Sequence, residues 1–413
     1  MKEDKYDIIV VGGGAAGMMA AGVAASEGKS VLLIEKNKRL GEKLRISGGG
    51  RCNITNDTPD IRQLLDNYGD AEQFLYSPFS QFGPEDSFSF FEKLNLPLVV
   101  EANQRAFPKS QKAADVVRAL EQHMKTGNVK VISDTAISRV TGANGKITGV
   151  EAGEKTYQAT SYILATGGVS HPETGSTGDG FGWLKELGHT IKEPTPSIVP
   201  LATKESWGHK LTGTSLSDIK ITFLINGKKA FAKSGRILFT HFGISGPLIL
   251  NSAKAVSDLL QEGEVTATID CFPDTDTGSL EKKILEVFDD NKNKMFKNIF
   301  NKIAPDGTGK ILLTLLPEID HEKGVHSITK TERKQIAKLL KALPLTIKGL
   351  LGNDKAVVAD GGVPLTEMDM KTMRSLLYKN LFITGDLLHI NRPTGGFSLQ
   401  TCWTTGYVAG INA

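Results

Sequence analysis

Residues 6–35 read YDIIVVGGGAAGMMAAGVAASEGKSVLLIE. Tyr6–Val11 and Ser30–Glu35 are continuous apolar runs flanking a small-residue helical stretch over residues 18–28, the pattern of parallel strands buried on both faces. This is a βαβ unit. Between its first strand and its helix, Gly12, Gly14 and Gly17 form G-x-G-x-x-G. The first glycine permits the turn, the second lets the backbone approach a pyrophosphate, and the third lets helix and strand pack closely. The helix start, with Ala15 and Ala16, offers unpaired N–H groups and partial positive charge to phosphates. Glu35 follows Gly17 by 18 positions, at the end of the second strand, where a carboxylate accepts hydrogen bonds from ribose hydroxyls. An acidic residue there argues against a 2′-phosphate, so the expected nucleotide is FAD or NAD. A glycine-tolerant turn without a ligand fits these joint signals poorly.

The chain around this unit is 413 residues long, beyond the size at which one core keeps growing, so two or three domains are expected. It is 39% hydrophobic and 23% charged with a net charge of +3, an ordinary globular composition that does not imply nucleic-acid binding. Cys52, Cys271 and Cys402 are far apart and have neither a zinc spacing nor a disulfide framework, so no metal and a reducing cytoplasm are expected. No apolar run approaches a membrane span, and MKEDKYD at residues 1–7 does not resemble a signal peptide. The oligomeric state is left open.

Residues 54–125 read as mainly helical and loop-like, with an amphipathic helix over 113–125, and 129–165 alternate as strands do. The proline-bearing KEPTPSIVPL (192–201) marks a boundary. Strand patterns follow, with a hairpin signal at Asn226-Gly227, and then helical patterns from 279–300 through 331–343. After about residue 350 the glycine-rich style returns in KAVVADGGV, NLFITGD and RPTGGFSLQTCWTTGYVAG. The expected organisation is α/β: a Rossmann-like domain from residues 1–193 and 347–413, interrupted by an inserted β-barrel (194–275) and a helical part (276–346).

Three further glycine-bearing segments bear on the choice of nucleotide: residues 47–53, Ala165–Gly168 with Thr177–Gly180, and Gly385-Asp386 with Gly395–Leu399. FAD reaches deep into its protein and needs such segments; a transient NAD site does not need them all. LGEKLRISGGGRCNITN, ATGG, TGSTGDG, FTHFGISGP and the final TGGFSLQ and TGYVAG occur in an order that resembles the HI0933-like (BaiN-like or YhiN-like) flavoproteins over essentially the whole chain. That resemblance implies a GR2-type FAD-binding fold. It assigns the pyrophosphate to Gly12–Gly17 and the adenosine ribose side to Glu35 and Lys36. Lys43 and the loop Ser47, Gly48, Gly49, Gly50, Arg51, Cys52 and Asn53 would wrap the rest of the cofactor. A backbone position resembling Ala136 meets the adenine, and Thr166, Gly167 and Asp179 anchor the dinucleotide. Gly385 and Asp386 would hold the ribityl chain. Gly396, Phe397, Ser398 and Leu399 would bring a helix start to the N1/O2 edge of the ring. Where the family more often has Glu, this chain has Asp386, and Phe397-Ser398 stands where Tyr-Asn is commoner.

No catalytic group is assigned from the sequence. His389, His241 and Arg392 are candidates, the last as a fork for a substrate carboxylate, with His171 and Lys109 weaker ones. Cys52 lacks a C-x-x-C partner and reads as a packing residue rather than a redox thiol. The expected function is an FAD-dependent oxidoreductase that moves a hydride between noncovalently bound FAD and a small organic substrate, with NAD(P)H as a transient donor suggested by the family. Alternatives are an O₂-using oxidase of a small amine or α-amino ketone, a tRNA-modifying flavoenzyme, and a flavin redox sensor without turnover.

Overall fold

Runs of Ile, Val and Leu with no polar interruption fold here into strands covered on both faces. The computed structural model describes residues 5–352, 356 and 358–413, and two compact units divide them: Met1–Ser197 with Asn353–Ala413, and Ile198–Gly352. In the first unit Lys130–Ile132, Val31–Ile34, Tyr6–Val11, Ala159–Leu164 and Leu381–Ile383 lie side by side in that order, all parallel. By position in the chain this is the order 3-2-1-4-5 of a Rossmann sheet. Two short strands, Arg374–Ser375 and Met368–Asp369, extend it antiparallel at the edge beside Leu381–Ile383.

Small residues decide how the helices pack on this sheet. The first helix is Ala15–Ser26; a Cβ on its Gly17 would stand 1.9 Å from the Gly12 carbonyl oxygen. The last helix, Phe397–Asn412, carries Gly406 and Gly410 one turn apart on one face. Side chains there would reach within 2.5 Å of the Ala16 carbonyl and 2.7 Å of the Ala20 carbonyl. The two helices therefore touch backbone to backbone, and segments from far ends of the sequence share one core.

Residues 54–125 are mainly helical and loop-like, as expected, but also hold a small sheet. Thr55–Asn56, Arg105–Pro108 and Leu98–Glu101 make a three-stranded antiparallel sheet, its strands too short to carry a clear alternation. The proline-bearing stretch is itself a strand, Lys192–Ile198, which among the described residues pairs only with Val358–Gly362; prolines are tolerated in such edge strands. Of KAVVADGGV, Lys355 and Val357 lie outside the described residues, as do residues 1–4 of MKEDKYD.

The second unit holds a closed six-stranded barrel in the order Leu201–Thr203, Gly243–Ser245, Lys228–Thr240, Ser215–Ile225, Val265–Asp270, Leu343–Leu350. Asn226 and Gly227, at φ 47° and 75°, make the tight hairpin that this pair favours. Ile221, Phe223, Ile237, Phe239, Ile269 and Leu345 fill the interior. The helices Thr277–Asp289 and Lys330–Lys341 interrupt the barrel between its fifth and sixth strands. A cut into barrel (194–275) and helical part (276–346) thus divides a closed structure, because Leu343–Leu350 pairs with both Val265–Asp270 and Leu201–Thr203. The helical reading of 279–300 breaks at Asp290, and a short helix resumes at Phe296–Ile299. Among the described residues no helix is long and apolar enough to cross a membrane, and no cluster of three or more His, Cys, Asp or Glu could hold a metal ion.

Candidate dinucleotide site

Glycine-bearing turns follow three adjacent parallel strands at their carboxyl ends: Gly12–Gly14 after Tyr6–Val11, Ala165–Gly168 after Ala159–Leu164, and Gly385 after Leu381–Ile383. Ligands of open α/β sheets bind at such ends. The first turn is divided by function. Gly12 has φ 104°, and a Cβ there would meet the Ala165 carbonyl at 2.5 Å, whereas a Cβ on Gly14 would meet nothing within 4 Å. Gly14 thus leaves room for a ligand beside the free N–H groups of Ala15, Ala16 and Gly17, which have no partner within the helix. Glu35 uses its carboxylate to fix this turn: it accepts from Gly13 N at 2.6 Å and from Asn37 N at 2.8 Å. Thr135 N–H donates to the Glu35 carbonyl at 3.0 Å, and the next residue, Ala136, is exposed at that edge.

The three glycines 48–50 all lie at positive φ, 57°, 68° and 84°, and Cys52 follows at 62°. A Cβ on Gly49 or Gly50 would meet no atom within 4 Å, so the loop presents bare backbone. Its polar side chains turn to the protein instead. Arg51 pairs with Glu101, donates to Gln111 at 2.5 Å and lies 4.0 Å over the Phe107 ring. With its amide turned to satisfy both ends, Asn53 donates to the Thr55 and Ala106 carbonyls and accepts from Gly396 N at 3.0 Å. Ser47 Oγ donates to the Leu44 carbonyl at 2.7 Å. Cys52 is fully buried, and burial pushes its thiol up to about 12, which suits packing and not redox chemistry. Cys402 is likewise pushed up to about 12 by burial.

A chain of charges joins the third turn to the last helix. Lys43 Nζ donates to Ser170 Oγ at 2.7 Å and to Asp386 Oδ2 at 2.9 Å. Arg392, only 3% exposed, pairs with Asp386 Oδ1 and donates to the Ile390 carbonyl at 2.6 Å and to Ser398 Oγ at 3.3 Å. Burial pulls Asp386 upward, but the Lys43 and Arg392 cations outweigh it and hold the carboxyl at about 2. The candidate reading of Arg392 as a substrate fork gives way to this ion pair, because its donors already have partners. The direct pairing of Asp386 with Lys43 and Arg392, with Ser170 accepting from Lys43, had no signal in the sequence, since its members lie up to hundreds of residues apart.

Lys36 pairs with Asp179 at 2.7 Å, tying the end of the second strand to the helix Asp179–Glu186. Thr166 Oγ1 is buried with no hydrogen-bond partner, and a Cβ on Gly180 would stand 2.3 Å from it. Gly167 has φ 75°. Gly396, at φ 106°, presses on strand Thr55–Asn56, where a Cβ would meet the Thr55 carbonyl at 2.3 Å. The N–H groups of Phe397, Ser398 and Leu399 open the last helix without an intrahelical partner. Tyr68 OH donates to the Phe397 carbonyl at 2.9 Å, and Trp403 Nε1 to Ile54 O at 2.9 Å.

Of the remaining candidates, His171 Nδ1 contacts Glu173 at 2.8 Å and Lys109 is exposed. His241 belongs to the second unit, exposed after strand Lys228–Thr240 with its ring 4.8 Å from Phe242. His389 lies 3.3 Å from Asp360 through Nδ1. A dinucleotide fits what is present: bare glycine backbone at Gly14, Gly49 and Gly50, two helix starts, and the orphaned Thr166 hydroxyl.

The parallel order, the three turns and the divided glycine motif define a Rossmann-type dinucleotide-binding protein. The model of the HI0933-like protein Rossmann domain matches residues 6–412, and the chain belongs to that family of flavoprotein oxidoreductases. It is 29% identical over 408 residues to the 3-dehydro-bile acid delta(4,6)-reductase of Clostridium scindens, covering 97% of each chain. It is 27% identical over 410 residues to the ribosomal RNA dihydrouridine synthase of Haemophilus influenzae, covering 98% of this chain and 97% of the relative. Its fold resembles that of 3-ketosteroid-delta4-(5alpha)-dehydrogenase from Rhodococcus jostii, with a TM-score of 0.54 at 14% identity over 99% of this chain and 96% of that one.

Proposed function

We propose that the protein holds FAD in this cradle and reduces a carbon–carbon double bond conjugated to a carbonyl in a small organic molecule. The observation that carries the reading is the convergence of three glycine-bearing turns and two helix starts around the carboxyl ends of adjacent strands. Bound FAD would supply a hydride donor and acceptor at ring N5. Ala15, Ala16 and Gly17 would bind the pyrophosphate through N–H groups, and Glu35 has acceptor capacity left for a ribose hydroxyl. Lys36 and Asp179, held together, would border the adenosine side. Gly385 and Asp386 would meet the ribityl chain, with Lys43 and Arg392 fixing the carboxylate in place. The N–H groups of Ser398 and Leu399 and the dipole of their helix would favour negative charge at the N1/O2 edge of the ring.

The substrate class is supported by the names of the two full-length relatives, each of which denotes saturation of a double bond. NADH or NADPH would act as a transient donor at the same site. A polynucleotide substrate has less support: three lysines of the helical segment are matched by acids, Lys292 by Asp289, Lys297 by Glu322 and Lys323 by Glu332. The test is to purify the yellow protein, identify the released cofactor by chromatography, and follow anaerobic bleaching by NADH and NADPH and reoxidation by enones or by ribosomal RNA. FAD release with reoxidation by an enone is expected. Release of another flavin, or reoxidation by O₂ or RNA alone, would overturn the reading.

A further inference from the structure

The cradle is full of ionisable side chains, yet nearly all of them are committed to one another. Lys43, Asp386 and Arg392 form one chain, and Lys36 pairs with Asp179. Glu35 holds backbone N–H groups, Arg51 is taken by Glu101 and Gln111, and burial makes the thiols of Cys52 and Cys402 inert. His389 differs. It lies between Asp386 and Arg392 on the segment that leaves the third turn. Its backbone N–H donates to the Val363 carbonyl at 2.8 Å, and its neighbours Leu388 and Ile390 are buried.

The two edges of its ring meet different surroundings. Nδ1 is shut from solvent and faces Asp360 Oδ1, itself buried, at 3.3 Å. Were Nδ1 the unprotonated nitrogen, a lone pair would face a carboxylate oxygen in a dry pocket, an arrangement that leaves a buried donor-acceptor match unmade. Nδ1 therefore carries a proton. The side chain is nonetheless 27% exposed, and since Nδ1 is covered, the open edge is the one bearing Nε2, which makes no hydrogen bond among the described residues. A histidine held within ion-pair distance of a carboxylate at one nitrogen and open at the other is placed to give and take a proton at the second.

We propose that His389, oriented by Asp360, is the proton donor of the reaction; this rests on the reading of the protein as a reductase of carbonyl-conjugated double bonds. As the hydride forms the new C–H bond at the β-carbon, the π electrons of the double bond move toward the carbonyl. The Nε2–H bond of the imidazolium breaks, and its proton forms the C–H bond at the α-carbon. The hydride and the proton together saturate the double bond, the two electrons come from the reduced cofactor, and solvent returns the proton to Nε2. His389 is the catalytic residue and Asp360 a positioning residue.

Wild type, H389Q and D360N, each loaded with flavin, are photoreduced and mixed anaerobically with 2-cyclohexenone and 4-androstene-3,17-dione in H₂O and D₂O. H389Q is expected to reoxidise about 10²–10⁴-fold more slowly, the range for loss of a general acid, with flavin content unchanged and the solvent isotope effect altered. D360N should lose about 10–100-fold. Independently of turnover, ¹⁵N spectra of the oxidised wild type, with His389 assigned by its absence in H389Q, should show Nδ1 protonated, and D360N should show mixed tautomers. H389Q reoxidising at the wild-type rate, loss of flavin from H389Q, or an unprotonated Nδ1 would each overturn the proposal while leaving the reductase reading intact. Failure of both enones to reoxidise the wild type would instead remove that reading, and the proposal with it.

Discussion

The two units bury polar atoms in opposite ways. Among the described residues, the buried carboxylates Glu35 and Asp360 and the buried guanidinium Arg392 all belong to the Rossmann unit. The polar residues that the barrel unit buries whole are, among those described, Thr203, Ser252 and Thr308, the latter two satisfied locally through the Leu248 carbonyl at 2.7 Å and the Pro305 carbonyl at 2.6 Å; of its larger side chains Trp207 Nε1 and Arg333 Nε are also covered. None of its described charged residues is buried whole: pairs such as Lys204 with Glu264 and Lys254 with Asp258 are exposed, and Lys341 with Asp270 and Arg333 with Glu281 are partly covered. Buried charge is costly unless paired and hydrogen-bonded. Its concentration in one unit therefore separates the part shaped for chemistry from the part shaped for packing.

The most severe test of this contrast is Gly17→Val, whose side chain would collide with the Gly12 carbonyl only 1.9 Å from the Cβ position. A loss above about 4 kcal/mol, seen as failure to recover soluble flavin-bearing protein, is expected from overpacking at backbone. Next comes Arg392→Met, which strands the buried Asp386 carboxylate and should cost about 3–5 kcal/mol in urea unfolding. If removing both charges in R392M/D386L cost as much as R392M alone, the ion pair would not be the reason. The same pair sets an acid limit. Asp386, held at about 2, lies below its unfolded value near ~3.9. Its contribution is fully present above the unfolded value and is lost as pH falls through the folded one. Stability of wild type but not of R392M/D386L should therefore drop between about pH 4 and pH 2 from this group, which acid titration of unfolding would detect.

In the barrel, Ile269→Val removes one methyl from a fully buried position and should cost about 0.5–1.5 kcal/mol. Flavin content should stay the same; cofactor loss would blur the contrast between units. The smallest effect belongs to Lys297→Ala, which breaks an exposed pair with Glu322 and should change the unfolding free energy by less than about 1 kcal/mol.

The Rossmann topology was legible because its signals are local: apolar runs at 6–11 and 30–35, three glycines at fixed spacing and an acid at the strand end. The hairpin at Asn226-Gly227 was legible for the same reason. What sequence reading could not supply was partnership at a distance. Nothing near Arg392 announces that Asp386 will neutralise it while Lys43 arrives from the first quarter of the chain, and nothing near His389 announces Asp360. The sheet formed by residues 55–56, 98–101 and 105–108 escaped because such short strands are fixed by neighbours, through contacts such as Thr55 to Gln400 at 2.6 Å, and not by their own periodicity. The expected boundary at 346/347 cuts through the barrel's sixth strand, Leu343–Leu350, because helices precede it and its partners lie far upstream.

The backbone contact of Gly406 and Gly410 with the first helix also orders events during synthesis. The ribosome makes Ala15–Ser26 early, yet its final neighbour Phe397–Asn412 emerges only after all of Ile198–Gly352. The barrel, continuous in the chain, can complete itself while the nucleotide unit still waits for its closing segment, since contacts distant in sequence form slowly. Pulse-labelled hydrogen exchange on nascent chains should find barrel amides protected first. Bound flavin should appear only once the last helix is released.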